Sequence, residues 1–280
     1  MSRLILQGPN LNKDAVEAIS SEVDGAIILY SAYAIVDAGR TELINLERLR
    51  TQYDFDINLI PANLAVSQTR LLVTDMDSTL INIECVDAIA DFINVKPQVA
   101  DITEAAMRGE IDFETSLRQR VSLLKGLDVT ALEVVYEQRL QLNPGAEVML
   151  KSLQHNGIKT ALVSGGFTFF TERLKQRLGL DFTMANVLAE YKGKLTGEVV
   201  GEVCGAQAKA DFLLAHCDKL GILPTQVVAM GDGANDLLMM DEAGLSVAYH
   251  AKPKVQQQAL TALNYCGLDG VLGLLQHNYN

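Results

Sequence analysis

Tryptophan is absent from the 280-residue chain, and cysteine (four), histidine (four) and proline (six) are scarce. Cys85, Cys204, Cys217 and Cys266 are scattered with no CxxC pair. In a chain this long they read as free thiols in a reducing cytoplasm rather than as a disulfide framework. His155, His216, His250 and His277 stand apart from one another and from the cysteines, which argues against zinc. Positive charge is also short: 23 Lys and Arg face 35 Asp and Glu, for a net charge of −12. Such a chain repels nucleic acid and acidic lipid headgroups, so neither is an expected partner. No apolar run approaches the roughly 18 residues needed to span a membrane. The opening stretch has too short an apolar part for a secretory signal. Repeats and low-complexity tracts are missing.

What is present is an ordinary globular balance, 49% hydrophobic and 21% charged. At roughly 150 residues per domain the length suits about two domains. These features leave a cytoplasmic protein acting on a small molecule or on another protein.

The first 69 residues alternate strand and helix signals. Leu4-Ile5-Leu6 reads as a strand, and Lys13 to Val23 as a helix through Val16, Ile19 and Val23. Ala26–Tyr30 and Tyr33–Val36 are close enough for a hairpin. Thr41 to Tyr53 reads as a second helix with Thr41 at its N-cap, and Phe55 to Ile60 as a closing strand. The order βαββαβ is that of a ferredoxin-like α+β domain. It carries no ligand motif, and a packing, dimerising or regulatory role is expected of it.

From Arg70 the pattern changes. Leu71–Thr74, Thr160–Val163 and Val227–Met230 are continuous apolar runs, as expected of strands buried on both faces of a parallel sheet. They end in Asp75, in Ser164 and in Gly231-Asp232, and in open α/β sheets the ligand sits beyond such carboxyl ends. The helix around Thr171 to Arg177 is expected to supply the crossover between the second and third of these strands. Between the first and second runs, about 84–141, four helical patterns form an insert that reads as a cap over the site. Gly109 and Gly126 lie at expected helix C-caps and Pro97 at a helix start. Val187 to Val199, with Lys192-Gly193-Lys194 inside it, reads as a hairpin.

Asp75 and Asp77 fall on one side of an extended chain, and two acids held there repel unless a cation or a shared proton relieves them. Gly231-Asp232-Gly233-Ala234-Asn235-Asp236 supplies a second acidic cluster, with Asp232 and Asp236 stacked if a helix starts there. Hard oxygen ligands from two strand ends suit Mg²⁺. Ser164-Gly165-Gly166, after a strand and before a helix, offers a hydroxyl and glycine amides to an anion at a helix N-terminus. Taken alone, each has an ordinary explanation: a surface acid pair, an Asp-Gly turn, a Gly-Gly turn. Lys209 in its helical context would by itself be a solvated lysine.

Taken together and in order, Asp75-Met76-Asp77-Ser78-Thr79, Ser164-Gly165-Gly166, Lys209 and Gly231–Asp236 resemble the four motifs of the haloacid dehalogenase superfamily. The resemblance covers Leu71 to about Pro253, leaving the first 69 residues outside it. Glu84, Phe113 and Arg120 in the insert, with Ala251-Lys252-Pro253 after the last strand, resemble the phosphoserine phosphatases within it. The resemblance implies a Rossmann-like parallel-sheet core with a helical cap over residues 70–280. It also implies Mg²⁺-dependent hydrolysis of O-phosphoserine, the last step of serine biosynthesis. In that scheme Asp75 is the nucleophile that becomes an aspartyl phosphate, and Asp77 the general acid and base. The metal is held by Asp75, the Asp77 carbonyl and Asp232, with Asp236 and Asn235 in support. Ser164, Gly165 and Lys209 cradle the phosphoryl oxygens.

Phe113 and Arg120 stand seven residues apart, nearly two helical turns or about 10.5 Å along one face. In the family-like arrangement Arg120 meets the substrate carboxylate, Glu84 its ammonium, and Phe113 shields the site. On its own segment Arg120 reads equally as a solvated arginine on an amphipathic helix. Two other readings stay open: a related phosphatase or mutase acting on another small phosphate ester, and a catalytically silent metabolite-binding regulator. A homodimer is compatible with the small first domain.

Overall fold

The computed structural model describes residues 2–277, the side chains of Leu43 and Met107 excepted. The chain opens with β1 (Arg3–Gln7), α1 (Lys13–Glu22), β2 (Ala26–Leu29), β3 (Tyr33–Asp37), α2 (Leu46–Gln52) and β4 (Asp56–Ile60). The strands form one antiparallel sheet in the order β2-β3-β1-β4. This is the βαββαβ order expected from the sequence. The second helix starts later than expected: Thr41 opens only a short 3₁₀ turn, Ile44 is extended, and Asn45 accepts the Arg48 amide as the true N-cap.

Side chains alternate across this sheet. Leu4, Leu6, Ala34, Val36 and Ile57 pack with Val16, Ile19 and Leu49 beneath α1 and α2. Ile5, Tyr33, Ile35 and Ile60 face the other way and join the main core.

That core begins at β5 (Leu71–Thr74), continues through α3 (Cys85–Phe92), α4 (Lys96–Met107), α5 (Phe113–Ser122) and α6 (Thr130–Gln138), and returns with α7 (Ala146–His155) to β6 (Lys159–Phe167). There follow α8 (Thr168–Leu178), β7 (Phe182–Tyr191), β8 (Lys194–Val200), α9 (Ala206–Leu220), β9 (Val227–Gly231), α10 (Leu237–Glu242), β10 (Leu245–Tyr249), α11 (Pro253–Gln258), β11 (Thr261–Leu263) and α12 (Gly270–Leu274). The seven strands run β11-β10-β9-β5-β6-β7-β8, parallel throughout except for the β7–β8 hairpin. In the hairpin turn Lys192 and Gly193 both take positive φ, the arrangement of a tight two-residue turn. The helix expected to cross from the second to the third apolar strand, α8, leads instead to β7, and α9 leads to β9.

The apolar runs are strands because both faces are covered. Leu72, Val228 and Met230 point into one hydrophobic cluster, while Leu71, Val73, Val227 and Ala229 point into the other. The four cysteines are free. No helix among the described residues is long and apolar enough to cross a membrane.

The small sheet closes the open edge of the large one by side chains rather than by a strand. Asn58 on β4, fully buried, donates from Nδ2 to the Ala262 carbonyl and accepts the Ala262 amide on Oδ1, both at 2.8 Å. Its carboxamide therefore imitates a ladder partner for edge strand β11. Asp56 on the same strand accepts the Asn264, Tyr265 and Cys266 amides at 2.7 to 3.2 Å. Asn58→Ala leaves two buried backbone groups unpartnered, which costs about 2–4 kcal/mol. A thermal melt is expected to drop by several degrees, and an unchanged midpoint would contradict the clamp.

Candidate active site

The parallel register brings the motif-bearing ends level. Thr74 pairs with Leu162 on one side and Met230 on the other, and the Asp75 amide donates to the Met230 carbonyl at 2.9 Å. After Asp75 the chain does not stay extended. Met76–Leu80 makes one tight turn, with the Ile81 amide returning to the Met76 carbonyl and Ser78 left-handed at φ +57°. The turn still directs Asp75 and Asp77 into one cavity of about 630 Å³. The cavity is roofed by the cap residues Glu84, Phe113 and Arg120 and floored by Ser164, Gly165, Asp232 and Asn235.

Lys209 is not solvated. It is fully buried, and its ammonium lies 2.7 Å from Asp75 Oδ1 and 2.7 Å from Asp236 Oδ1. Asp236 uses its other oxygen to accept the Gly233 amide at 3.0 Å. The carboxylate crosses the Gly231 backbone so closely that a Cβ there would sit 2.3 Å from it, which accounts for that glycine. Asp236 ends a short 3₁₀ turn, with α10 beginning one residue later, so the expected helical stacking with Asp232 is not what joins them. Asp75, Asp232 and Asp236 nonetheless place carboxylate oxygens within 4.8 Å of one another.

Two buried acids and the partly buried Asp232 gather against one ammonium. Burial pushes the Asp75 carboxyl well above the usual carboxylate range, with Asp236 adding to the rise and Lys209 opposing it. Burial and then Asp236 push Asp232 up to about 6. Lys209 shows the opposite balance: burial alone would lower its pKa, but Asp236 and Asp75 outweigh it and hold the ammonium protonated. A cluster of hard oxygen donors with excess charge fits a divalent cation.

Asp77 is pushed up to about 7 by burial and then by the Glu84 charge, with hydrogen bonding from Cys85 opposing the rise. Its Oδ2 accepts the Cys85 amide at 3.0 Å, whereas the buried Oδ1 makes no hydrogen bond among the described residues. A carboxyl poised near neutrality with one oxygen uncommitted can give and then recover a proton.

Ser164-Gly165-Gly166 lies within β6, and α8 starts only at Thr168, so these residues do not form a helix N-terminus as expected. The pairing of β6 with β7 shifts register between Val163 and Phe167. Asn186 on β7, buried and without any sequence signal, holds this segment by donating to the Gly165 carbonyl and accepting the Cys204 amide. The Phe113 ring lies 3.0 Å from where a Cβ on Gly165 would be, so the cap rests on that glycine.

Arg120 is mostly buried. Among the described residues its only hydrogen bond runs from Nε to the Ser116 carbonyl at 3.4 Å, and no carboxylate lies in salt-bridge contact. Burial lowers its pKa, and Asp87, Glu84 and Asp77 oppose that in turn. Asp87 and Thr103 also line the cavity without having been singled out in the sequence, as does Lys252, which was noted there only within Ala251-Lys252-Pro253. Asp87 falls one helical turn after Glu84, a spacing that could have indicated it.

The sequence profile of the haloacid dehalogenase-like hydrolases matches residues 69–244. A phosphoserine phosphatase of Polaromonas sp. is 55% identical over 225 residues, which cover 79% of this chain and 95% of the relative. The unliganded crystal structure of a probable phosphoserine phosphatase from Vibrio cholerae has a TM-score of 0.85 at 40% identity, covering 98% of this chain and 86% of that one. A phosphoserine phosphatase solved as a phospho-aspartyl intermediate analogue has a TM-score of 0.69 at 41% identity, covering 74% of this chain and 98% of that one. With its strand-end acids, buried lysine and helical cap in that order, the chain belongs to the haloacid dehalogenase-like hydrolases and, among them, to the phosphoserine phosphatase family.

Proposed function

We propose that this enzyme hydrolyses O-phosphoserine to serine and phosphate in the cytoplasm, as the last step of serine biosynthesis, with Mg²⁺ as its divalent ion. The observation that carries the substrate is Arg120. A guanidinium mostly withdrawn from water, with no carboxylate in salt-bridge contact among the described residues, is suited to a carboxylate on the ligand. Glu84 on the same roof supplies the opposite charge for an ammonium. A sugar phosphate offers neither group. Residues 70–280 form the phosphatase unit in this reading, capped over about 84–141, and residues 1–69 a small dimerising or regulatory unit.

Asp75 attacks phosphorus, forming a phosphoryl–carboxylate bond as the serine oxygen departs, and Asp77 Oδ1 gives that oxygen its proton. Asp77 then takes a proton from water, which attacks the phosphorus and frees phosphate and Asp75. Lys209, Ser164 and the Gly165 amide meet the phosphoryl oxygens, where charge is spread in a loose transition state. Asp75, the Asp77 carbonyl and Asp232 would hold the metal, with Asp236 and Asn235 behind them; when bound, it neutralises charge between nucleophile and phosphate. The cap excludes bulk water from these exchanges.

We infer further that β2 pairs with β2 of a second copy. Its four residues are all exposed, and Ile27, Ile28 and Leu29 leave an uncharged apolar edge. An antiparallel pairing about a two-fold axis satisfies both edges alike.

Asp75→Asn is expected to lower turnover by more than roughly a thousandfold and to abolish phosphoenzyme trapping in a folded chain. Retained turnover would overturn the nucleophile. Arg120→Ala should lower kcat/KM for phosphoserine roughly 10- to 100-fold while a small aryl phosphate changes less than about twofold. Equal losses on both would remove the carboxylate assignment. Sedimentation should report a dimer for the natural chain and a monomer for Ile28→Lys; a monomeric natural chain would refute the β2 contact.

A further inference from the structure

Ser78 is an unusual residue for its place. The backbone there is left-handed, a conformation that glycine takes without the Cβ conflict that serine meets. Its amide donates to the Ile83 carbonyl at 3.3 Å, folding the strand end back on the first connection to the cap. In that fold the Ser78 hydroxyl donates to Glu84 Oε1 at 2.7 Å. Glu84 stands at the N-cap of α3 yet makes no side-chain capping bond, so the helix does not use its carboxylate. The carboxylate instead faces Ser78 and the cavity.

The loop that presents Ser78 is held from outside. Asn143, on the return connection from the cap, donates from Nδ2 to the Thr79 carbonyl at 2.7 Å and to the Ile81 carbonyl at 3.1 Å. A long, flexible side chain at the mouth of a site is thus met by a short hydroxyl on a fixed loop.

We propose that Ser78 is a positioning residue for substrate specificity: its hydroxyl engages one oxygen of Glu84 and so aims the carboxylate at the ammonium of the amino-acid substrate. This role rests on the assignment of Glu84 to that ammonium. The left-handed backbone is then explained as the conformation that directs the hydroxyl toward Glu84, a strain kept at a functional position. Glycine would relax the backbone but lose the bond.

The test compares phosphoserine with 3-(phosphonooxy)propanoate, which keeps the phosphate ester and the carboxylate but has hydrogen in place of the ammonium. Ser78→Ala and Ser78→Gly are each expected to raise KM for phosphoserine about five- to tenfold, with kcat and the propanoate KM within about twofold. An unchanged phosphoserine KM, or equal rises on both substrates, would overturn the proposal. So would a normal Ser78→Gly beside an impaired Ser78→Ala, since the backbone and not the hydroxyl would then matter. Glu84→Gln serves as the reference and is expected to erase the preference for phosphoserine. If it leaves that preference intact, the ammonium assignment falls and the role of Ser78 with it. If it erases the preference while the Ser78 variants leave it unchanged, only the role of Ser78 falls.

Discussion

The site depends on one buried ammonium. Lys209 has no exposed surface and bridges Asp75, at the end of β5, and Asp236, in the turn after β9. A buried cation without acid partners is strongly unfavourable, and so is a buried pair of acids without a cation. Each is tolerable only with the other in place, so α9 and two strand ends are held to one geometry. Other features follow from that geometry. Gly231 has no side chain because Asp236 lies across it. Asp232, tied by the Thr79 hydroxyl at 3.1 Å, completes a cluster whose charge Lys209 alone does not balance. The net charge of −12 therefore says little about the cleft: in the proposed scheme Lys209, Arg120 and a divalent ion would reverse the sign locally for a phosphate.

In the proposed scheme, chemistry and recognition come from different parts of the chain. Asp75 and Asp77 follow directly after β5, whereas Glu84, Phe113 and Arg120 stand on the cap. The two connections to the cap are fastened to each other. Ile81 and Leu142 form an isolated antiparallel bridge, Asn82 and Gln141 exchange two hydrogen bonds, and the Asn143 amide reaches the Leu80 carbonyl. The cap is thereby tied to the turn that carries Asp77.

The strand-end motifs were legible because their signals are local: an apolar run followed at once by acid, serine or glycine. The βαββαβ order and the four cap helices were legible for the same reason. Errors arose where a local signal had a local rival. Thr41 and Asn45 are both competent caps, and only Asn45 precedes a stretch that stays helical. Ser164–Gly166 reads as a loop before a helix, yet β6 continues through it because Asn186 and the shifted β7 pairing hold it there. The burial of Lys209 was invisible in its helical neighbourhood, since what buries it lies 27 residues onward in Asp236 and far back in Asp75. Asn58, Asn143 and Asn186 escaped for a related reason: a lone asparagine acquires a role only from backbone brought to it by the fold.

The first 69 residues lie outside the motif resemblance, yet the main sheet is not complete without them. An edge strand of three residues, β11, would present unpaired amides and carbonyls, and strands so exposed recruit other chains. Asn58 occupies that edge with a side chain, which satisfies the ladder at one residue and offers no further strand to extend. Asp56 does the same for the loop beyond it, gathering three amides onto one carboxylate. Behind these polar contacts, Ile5, Tyr33, Ile35 and Ile60 share a hydrophobic cluster with Val271 and Leu272 of α12. Polar groups fix the register and apolar burial supplies the adhesion, so the small sheet is seated at a defined place on the large one. Whatever else it does, it first shields the one edge of the large sheet that no hairpin covers.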